Sequence, residues 1–306
     1  MKNTNNFLVA GIVQMETIVR VQNVPVEYRS LTSRANTIFT DVGGDAYNTA
    51  KALKWLGNDV DLLSMIEKNT SPDIINNQND SIELSTDYIL NRLDAMPSAV
   101  TFYADNKKQQ VFEDTKDLIN NEYDMDVCKK RLETADMVVL SNVHFCKPMI
   151  DEALERQIPV AVNIRDFGKE DLKFNDAFLS VADIIYISDD DLTKNHYEFV
   201  KEIADIYSPK IIILGRGANG VLLYSAEDNI FAEYKSVRTL EVVNTVGAGN
   251  ALFSCFLHYY VKTGDAVLSI KNALLFASYK IGFVGTSNGF MTEEQIEHWH
   301  NIIWNR

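Results

Sequence analysis

The chain has 306 residues, 46% of them hydrophobic and 24% charged, enough for a large core and ordinary for a globular protein. A formal net charge of −14 argues against nucleic acid or an anionic membrane as the main partner, so an anionic substrate needs local help such as a helix N-terminus. Cys128, Cys146 and Cys255 lie far apart, give no metal spacing or disulfide framework, and make a reducing cytosol the expected compartment.

After a polar N-terminus, the apolar run 7–13 is too short to span a bilayer and lacks signal-peptide flanks. It predicts a buried strand, with Glu16 just past its end. Residues 17–40, rich in Val, Thr, Ile and Tyr without helical period, predict short strands that leave the main sheet. Gly43-Gly44-Asp45 leads into a helix over 49–56 that stops at Gly57-Asn58, and 60–66 is the next strand. A polar loop or weakly ordered helix follows over 67–80. Alternation over 98–113 around Asp105-Asn106 predicts a hairpin with a polar tip, which with 17–40 can form a small separate sheet.

Beyond Asp117, strands at 137–140, 159–162, 184–187 and 211–214 alternate with helices at 125–133, 149–156, 190–207, 251–261 and 266–283. That alternation implies one large α/β domain whose mostly parallel sheet is covered by helices on both faces. Ligands of such sheets bind beyond the carboxyl ends of the strands. Glu16, Asn163, the Ser188-Asp189-Asp190-Asp191 run, Gly215 and the 244–250 turn all follow predicted strands and should converge on one edge. Gly215, Gly217 and Gly220 match a dinucleotide fingerprint formally, but the strand-like 221–224 follows instead of a helix, and that reading fails.

The turn Asn244-Thr245-Val246-Gly247-Ala248-Gly249-Asn250 runs from a β-branched segment at 240–243 into a helix. Its small residues would let an anion, most naturally a phosphate, reach bare N–H groups at the positive end of that helix. A plain turn capped by Asn250 has the same local signature. The five histidines show no zinc spacing, Arg165 reads as a surface salt-bridge residue with a substrate phosphate as its other candidate partner, and Asp189-Asp190 reads as helix-start charge.

Taken in order, these pieces resemble the ribokinase-like (PfkB) carbohydrate kinases over nearly the whole chain, from Gly11 to about Trp299. Gly43, Gly44 and Asn48 look like the sugar-binding glycine pair and asparagine, with Glu16 and Asp45 beside them as further substrate-binding residues. Gly215, Gly217 and Gly220 look like the strand–turn–strand against the nucleotide, a site to which Ser188 and Thr245 also belong. Gly247, Ala248 and Gly249 look like the family's anion hole, and Asp191 keeps the acid of its Asn-x-x-Glu motif for the metal.

The resemblance implies a three-layer α/β/α sandwich forming a single domain over 1–306, with a small β lid at 14–41 and 98–113. It implies ATP-dependent phosphorylation of a sugar or nucleoside hydroxyl with Mg²⁺, and a homodimer through the lid. Asn250, however, stands where the family has its catalytic aspartate, and an amide is no general base at neutral pH. Asn244 replaces an aspartate linked in many relatives to a monovalent cation, which weakens the case for that ion. Asn163 replaces another aspartate, and the family's Gly-x-Asp-x-x-Gly segment is missing after Ile66. Losing a base costs about 10²–10⁴-fold in rate, so reduced activity is expected, with Asp45 or Glu16 as substitute base. The alternative is a non-catalytic kinase-fold protein that binds nucleotide or sugar as a sensor or partner subunit.

Overall fold

Nine strands form the main sheet of the computed structural model, which describes residues 4–76, 82–105, 109–165, 167, 172–190 and 192–304. They are β1 (Asn6–Ala10), β4 (Asp59–Glu67), β5 (Ile89–Leu93), β8 (Met137–Ser141), β9 (Val160–Ile164), β10 (Ile184–Ser188), β11 (Ile211–Gly215), β12 (Val221–Ser225) and β13 (Ile230–Tyr234). Their order is β13-β12-β11-β10-β9-β8-β1-β4-β5, parallel from β11 through β5 and antiparallel at β12 and β13.

Continuous apolar runs make these strands because both faces are buried. Phe7 and Val9 enter one core while Leu8 and Ala10 enter the other, and Ile211 to Leu214 are wholly buried. Helices α1 (Asp45–Trp55), α6 (Ala248–Thr263), α7 (Ala266–Lys280) and α8 (Glu293–Trp304) pack on the first face. Helices α2 (Met125–Leu132), α3 (Lys147–Glu155), α4 (Leu172–Leu179) and α5 (His196–Tyr207) pack on the second. This is the expected three-layer α/β/α sandwich.

A second sheet of four strands, ordered β3-β2-β6-β7, stands apart from the first. It comprises β2 (Gln14–Val21), β3 (Ile38–Gly43), β6 (Ser98–Ala104) and β7 (Gln109–Asp114). The expected hairpin is the antiparallel β6–β7 pair, and β2 joins β6 in parallel. Asn106, at its expected tip, lies outside the described residues.

Several boundaries differ from expectation. The first strand ends at Ala10, so Glu16 does not follow it but sits inside β2, on the small sheet. Asn163 likewise lies within β9 instead of after it. Residues 240–243 are not a strand; the N–H groups of Val243 and Asn244 both donate to the Ile281 carbonyl just past α7, at 2.8 and 3.1 Å. The helix expected from 190 begins at His196, where Asn195 accepts from Tyr197 N (2.9 Å) and Glu198 N (3.3 Å). Asp189 and Asp190 are therefore not helix-start charges.

Candidate active site

At the start of α1, Gly44 has φ 101°, and a Cβ there would collide with the Ile12 carbonyl oxygen. A Cβ on Gly43 would collide with the Glu16 carboxylate, so that side chain lies directly over the glycine pair. Glu16 Oε1 accepts from Gly44 N (2.9 Å) and from Gln14 Nε2 (3.1 Å). Its Oε2 is buried without a hydrogen-bond partner among the described residues.

Asp45 is arranged in the same way. Its Oδ1 accepts from Ile12 N (3.1 Å) and Ala46 N (2.8 Å), while Oδ2 is buried with no hydrogen bond and faces Arg165 Nε in an ion pair of 3.2 Å. Nearby, buried Asn48 accepts the Thr286 hydroxyl at 3.2 Å. Arg165 also pairs with Glu113 of β7, so its guanidinium ties the small sheet to α1. The Arg165→Ala variant strands an Asp45 carboxylate that is only 6% exposed. We expect it to cost roughly 1–3 kcal/mol, read as a lowered Tm in thermal melting.

The 244–250 turn closes onto the loop after α7. Gly247 has φ 80°, and a Cβ there would collide with the Thr286 carbonyl. Helix α6 follows with no acidic residue in its first turn. Ala248 N donates to Thr245 O and Ala251 N to Gly247 O, both at 3.1 Å, whereas the N–H groups of Gly249 and Asn250 find no acceptor among the described residues. Bare N–H groups at the positive end of a 16-residue helix fit a phosphate. Thr245 faces Tyr103 of β6, which brings the small sheet against the turn.

The expected replacements at 163 and 250 meet. Asn163 Nδ2 donates to Asn250 Oδ1 at 2.8 Å, an uncharged amide pair at the head of α6. A residue that sequence reasoning missed is Tyr186 of β10. A Cβ on Gly215 would come within 2.6 Å of its hydroxyl, and one on Gly249 within 2.5 Å. Both glycines thus make room for a buried phenol, whose pKa burial pushes up so that it stays a donor. A tyrosine inside the apolar run Ile184-Ile185-Tyr186-Ile187 carries no sequence signal of this kind.

Around β10 and β11, Ser188 pairs in register with Gly215 and donates to Asp190 Oδ2 at 2.8 Å. Asp189 N donates to Gly215 O at 2.9 Å, and burial raises the pKa of its carboxyl group. Gly220 (φ 88°) packs against the Tyr234 carbonyl, while Gly217 (φ 51°) faces open space. Asp191, the expected metal ligand, lies outside the described residues.

No group of three or more His, Cys, Asp or Glu among the described residues is placed to hold a metal by itself. Mg²⁺ commonly needs only one or two carboxylates beside phosphate oxygens and water, so Asp189 and Asp190 fit a phosphate-borne ion. The expected site residues are linked through contacts: Asn48 to Thr286 to Gly247, Asp45 to Arg165, Asn163 to Asn250, and Gly215 to Tyr186 to Gly249. The three cysteines are free and buried, with burial pushing the Cys128 thiol up to about 12, which leaves them unreactive.

The model of the pfkB family of carbohydrate kinases matches residues 4–293. The chain belongs to that family. Deoxyribokinase of Salmonella typhimurium is 32% identical over 91 residues, 30% of this chain and 29% of that protein, so the match spans under a third of the curated relative. Ribokinase of Arabidopsis thaliana, solved with ribose and ATP, superposes with a TM-score of 0.76 at 15% identity, over 96% of this chain and 98% of its own. The nucleoside kinase of Burkholderia thailandensis, solved with inosine, gives 0.72 at 16% identity, over 98% and 97%. At these identities the likeness is one of fold. Among the described residues no helix is long and apolar enough to cross a membrane.

Proposed function

We propose that the protein transfers the γ-phosphate of ATP to a hydroxyl of a sugar or nucleoside, at a reduced rate. The observation that carries this reading is Glu16 Oε2, a buried carboxylate oxygen with no hydrogen-bond partner among the described residues, lying over Gly43 and Gly44, with Asp45 Oδ2 beside it held only by its ion pair with Arg165. A buried anionic oxygen without a donor is costly, and a polyhydroxylated ligand supplies one. Asn48 completes that side of the site.

Mg·ATP would supply the phosphoryl group and the neutralising charge. Gly215, Gly217, Gly220, Ser188 and Thr245 would hold it, with Asp189, Asp190 and Asp191 toward the metal. The N–H groups of Gly249 and Asn250 face the developing negative charge, and Gly247 and Ala248 set their direction. With an amide at position 250, Glu16 Oε2 is the better acceptor for the hydroxyl proton, because Asp45 Oδ2 is already engaged by Arg165. We expect Glu16→Gln to lower kcat at least about tenfold with a smaller change in KM, read by steady-state kinetics.

The small sheet would act as a lid over the sugar, held down through Arg165–Glu113 and Tyr103–Thr245. Its exposed Ile38 and Phe112, which the register places on the same outer face, would form a homodimer interface. The Asn163–Asn250 amide pair favours a second reading, a kinase-fold binder without turnover.

Calorimetric titration of Mg·ATP, with and without a panel of sugars and nucleosides, tests the proposal. Nucleotide binding that tightens with one panel member, followed by turnover of it, supports the kinase. Nucleotide binding with no panel response supports the binder, and no nucleotide binding sinks the kinase and the nucleotide-binding form of the binder.

A further inference from the structure

The resemblance links the first position of the 244–250 turn to a monovalent cation, and the residues present do not fit one. Lys280, the last residue of α7, is 0% exposed, though nothing in the apolar run before it marks it as special. Its Nζ donates to the carbonyl of Val246, inside the turn, and to that of Gly285 at 2.6 Å. Asn244 Nδ2 donates to the carbonyls of Phe283 (3.1 Å) and Gly285 (3.3 Å), and Asn244 Oδ1 accepts from Val246 N at 2.7 Å. Carbonyl oxygens from the turn and from the loop after α7 therefore converge on one point, and an ammonium group already stands there.

An alkali ion needs such oxygens with their lone pairs open to it. An ammonium carries the same charge, is close to potassium in size and satisfies the same oxygens by hydrogen bonds. We infer that Lys280 is a tethered cation for the phosphate turn, holding through the Val246 and Gly285 carbonyls the conformation that a bound monovalent ion would otherwise hold. The neutral amide at Asn244 agrees with this. It donates to the carbonyl that Lys280 shares, which an ionised aspartate could not do. Burial pushes the Lys280 pKa down to about 7, while the two carbonyls and the charge of Glu16 favour its protonated form. Lys280 is thus a positioning residue. It acts on the Gly249 and Asn250 N–H groups through the turn, and the inference rests on the reading of that turn as the phosphate site.

The test compares wild type with Lys280→Met, in potassium, ammonium or choline chloride at equal ionic strength, by thermal melting and by Mg·ATP titration. Wild type is expected to show the same Tm and the same affinity in all three salts. In choline, Lys280→Met is expected to bind Mg·ATP about tenfold or more weakly than wild type. Ammonium or potassium should restore the variant's affinity and raise its Tm by about 2 °C or more.

A wild-type Tm or affinity that rises in potassium over choline overturns the inference. So does a variant that binds like wild type in choline, or one that neither small cation restores. Should Lys280→Met fail to fold, the wild-type comparison of potassium with choline decides alone. Absence of Mg·ATP binding by wild type in every salt would defeat the phosphate-site reading instead, leaving the melting comparison to judge Lys280.

Discussion

Asn250→Asp is expected to raise phosphoryl transfer about 10²–10⁴-fold on whichever hydroxyl compound the protein binds, the range by which a positioned general base contributes. The site is prepared for the change. Position 250 lies in the first turn of α6, where the helix favours an anion, and Asn163 Nδ2, now 2.8 Å from the amide oxygen, can donate equally well to a carboxylate. The substitution conserves shape, so folding should be unaffected. The added charge near the phosphate oxygens should weaken Mg·ATP binding somewhat, through like-charge repulsion. Single-turnover kinetics separate that binding effect from the chemical step. A measurable step no faster than in wild type would show that position 250 is not where the base is missing, and no transfer by either protein would favour the binder.

Gly247→Val should abolish detectable Mg·ATP binding, a loss of about 100-fold or more, because two independent constraints fail together. At φ 80° a β-branched residue is strained, and its Cβ collides with the Thr286 carbonyl, which is main chain and cannot swing aside. The turn must move, and the N–H groups of Gly249 and Asn250 move with it. Gly264→Ala is the control: it too has positive φ (69°), at the far end of α6, but its Cβ would meet nothing within 4 Å. It should cost about 1 kcal/mol of stability and leave nucleotide affinity alone. Wild-type affinity in Gly247→Val would refute the phosphate assignment of the turn.

What could be read from residues alone follows physical lines. The main strands were legible because parallel strands buried on both faces are written as unbroken β-branched runs, as in Ile211-Ile212-Ile213-Leu214. The strands β5 and β13 and the helix α4 did not figure in that reading. In β5, exposed Asn91 and Arg92 interrupt a five-residue strand whose partner β4 lies more than twenty residues away. Segment 240–243 looks like a strand by composition, yet Val243 and Asn244 give their N–H groups to the end of α7.

In the candidate site the glycines and acids were proposed from the family resemblance, whereas their neighbours were not. Tyr186, Lys280 and Thr286 sit in apolar or unremarkable stretches and act only through atoms that folding brings to them. The partners of Arg165 lie 120 and 52 positions earlier, at Asp45 and Glu113, beyond the reach of any local pattern.

Thr286 belongs to both halves of the site at once, with its hydroxyl on Asn48 and its carbonyl against Gly247. A ligand that draws Asn48 toward itself therefore changes the surroundings of the turn, and a ligand that orders the turn changes those of Asn48. If hydroxyl compound and nucleotide bind as proposed, thermodynamic reciprocity requires that any effect of one on the other's affinity be returned by the same factor. Removing the hydroxyl as in Thr286→Val should bring that factor toward one, leaving two ligands that load independently and in either order.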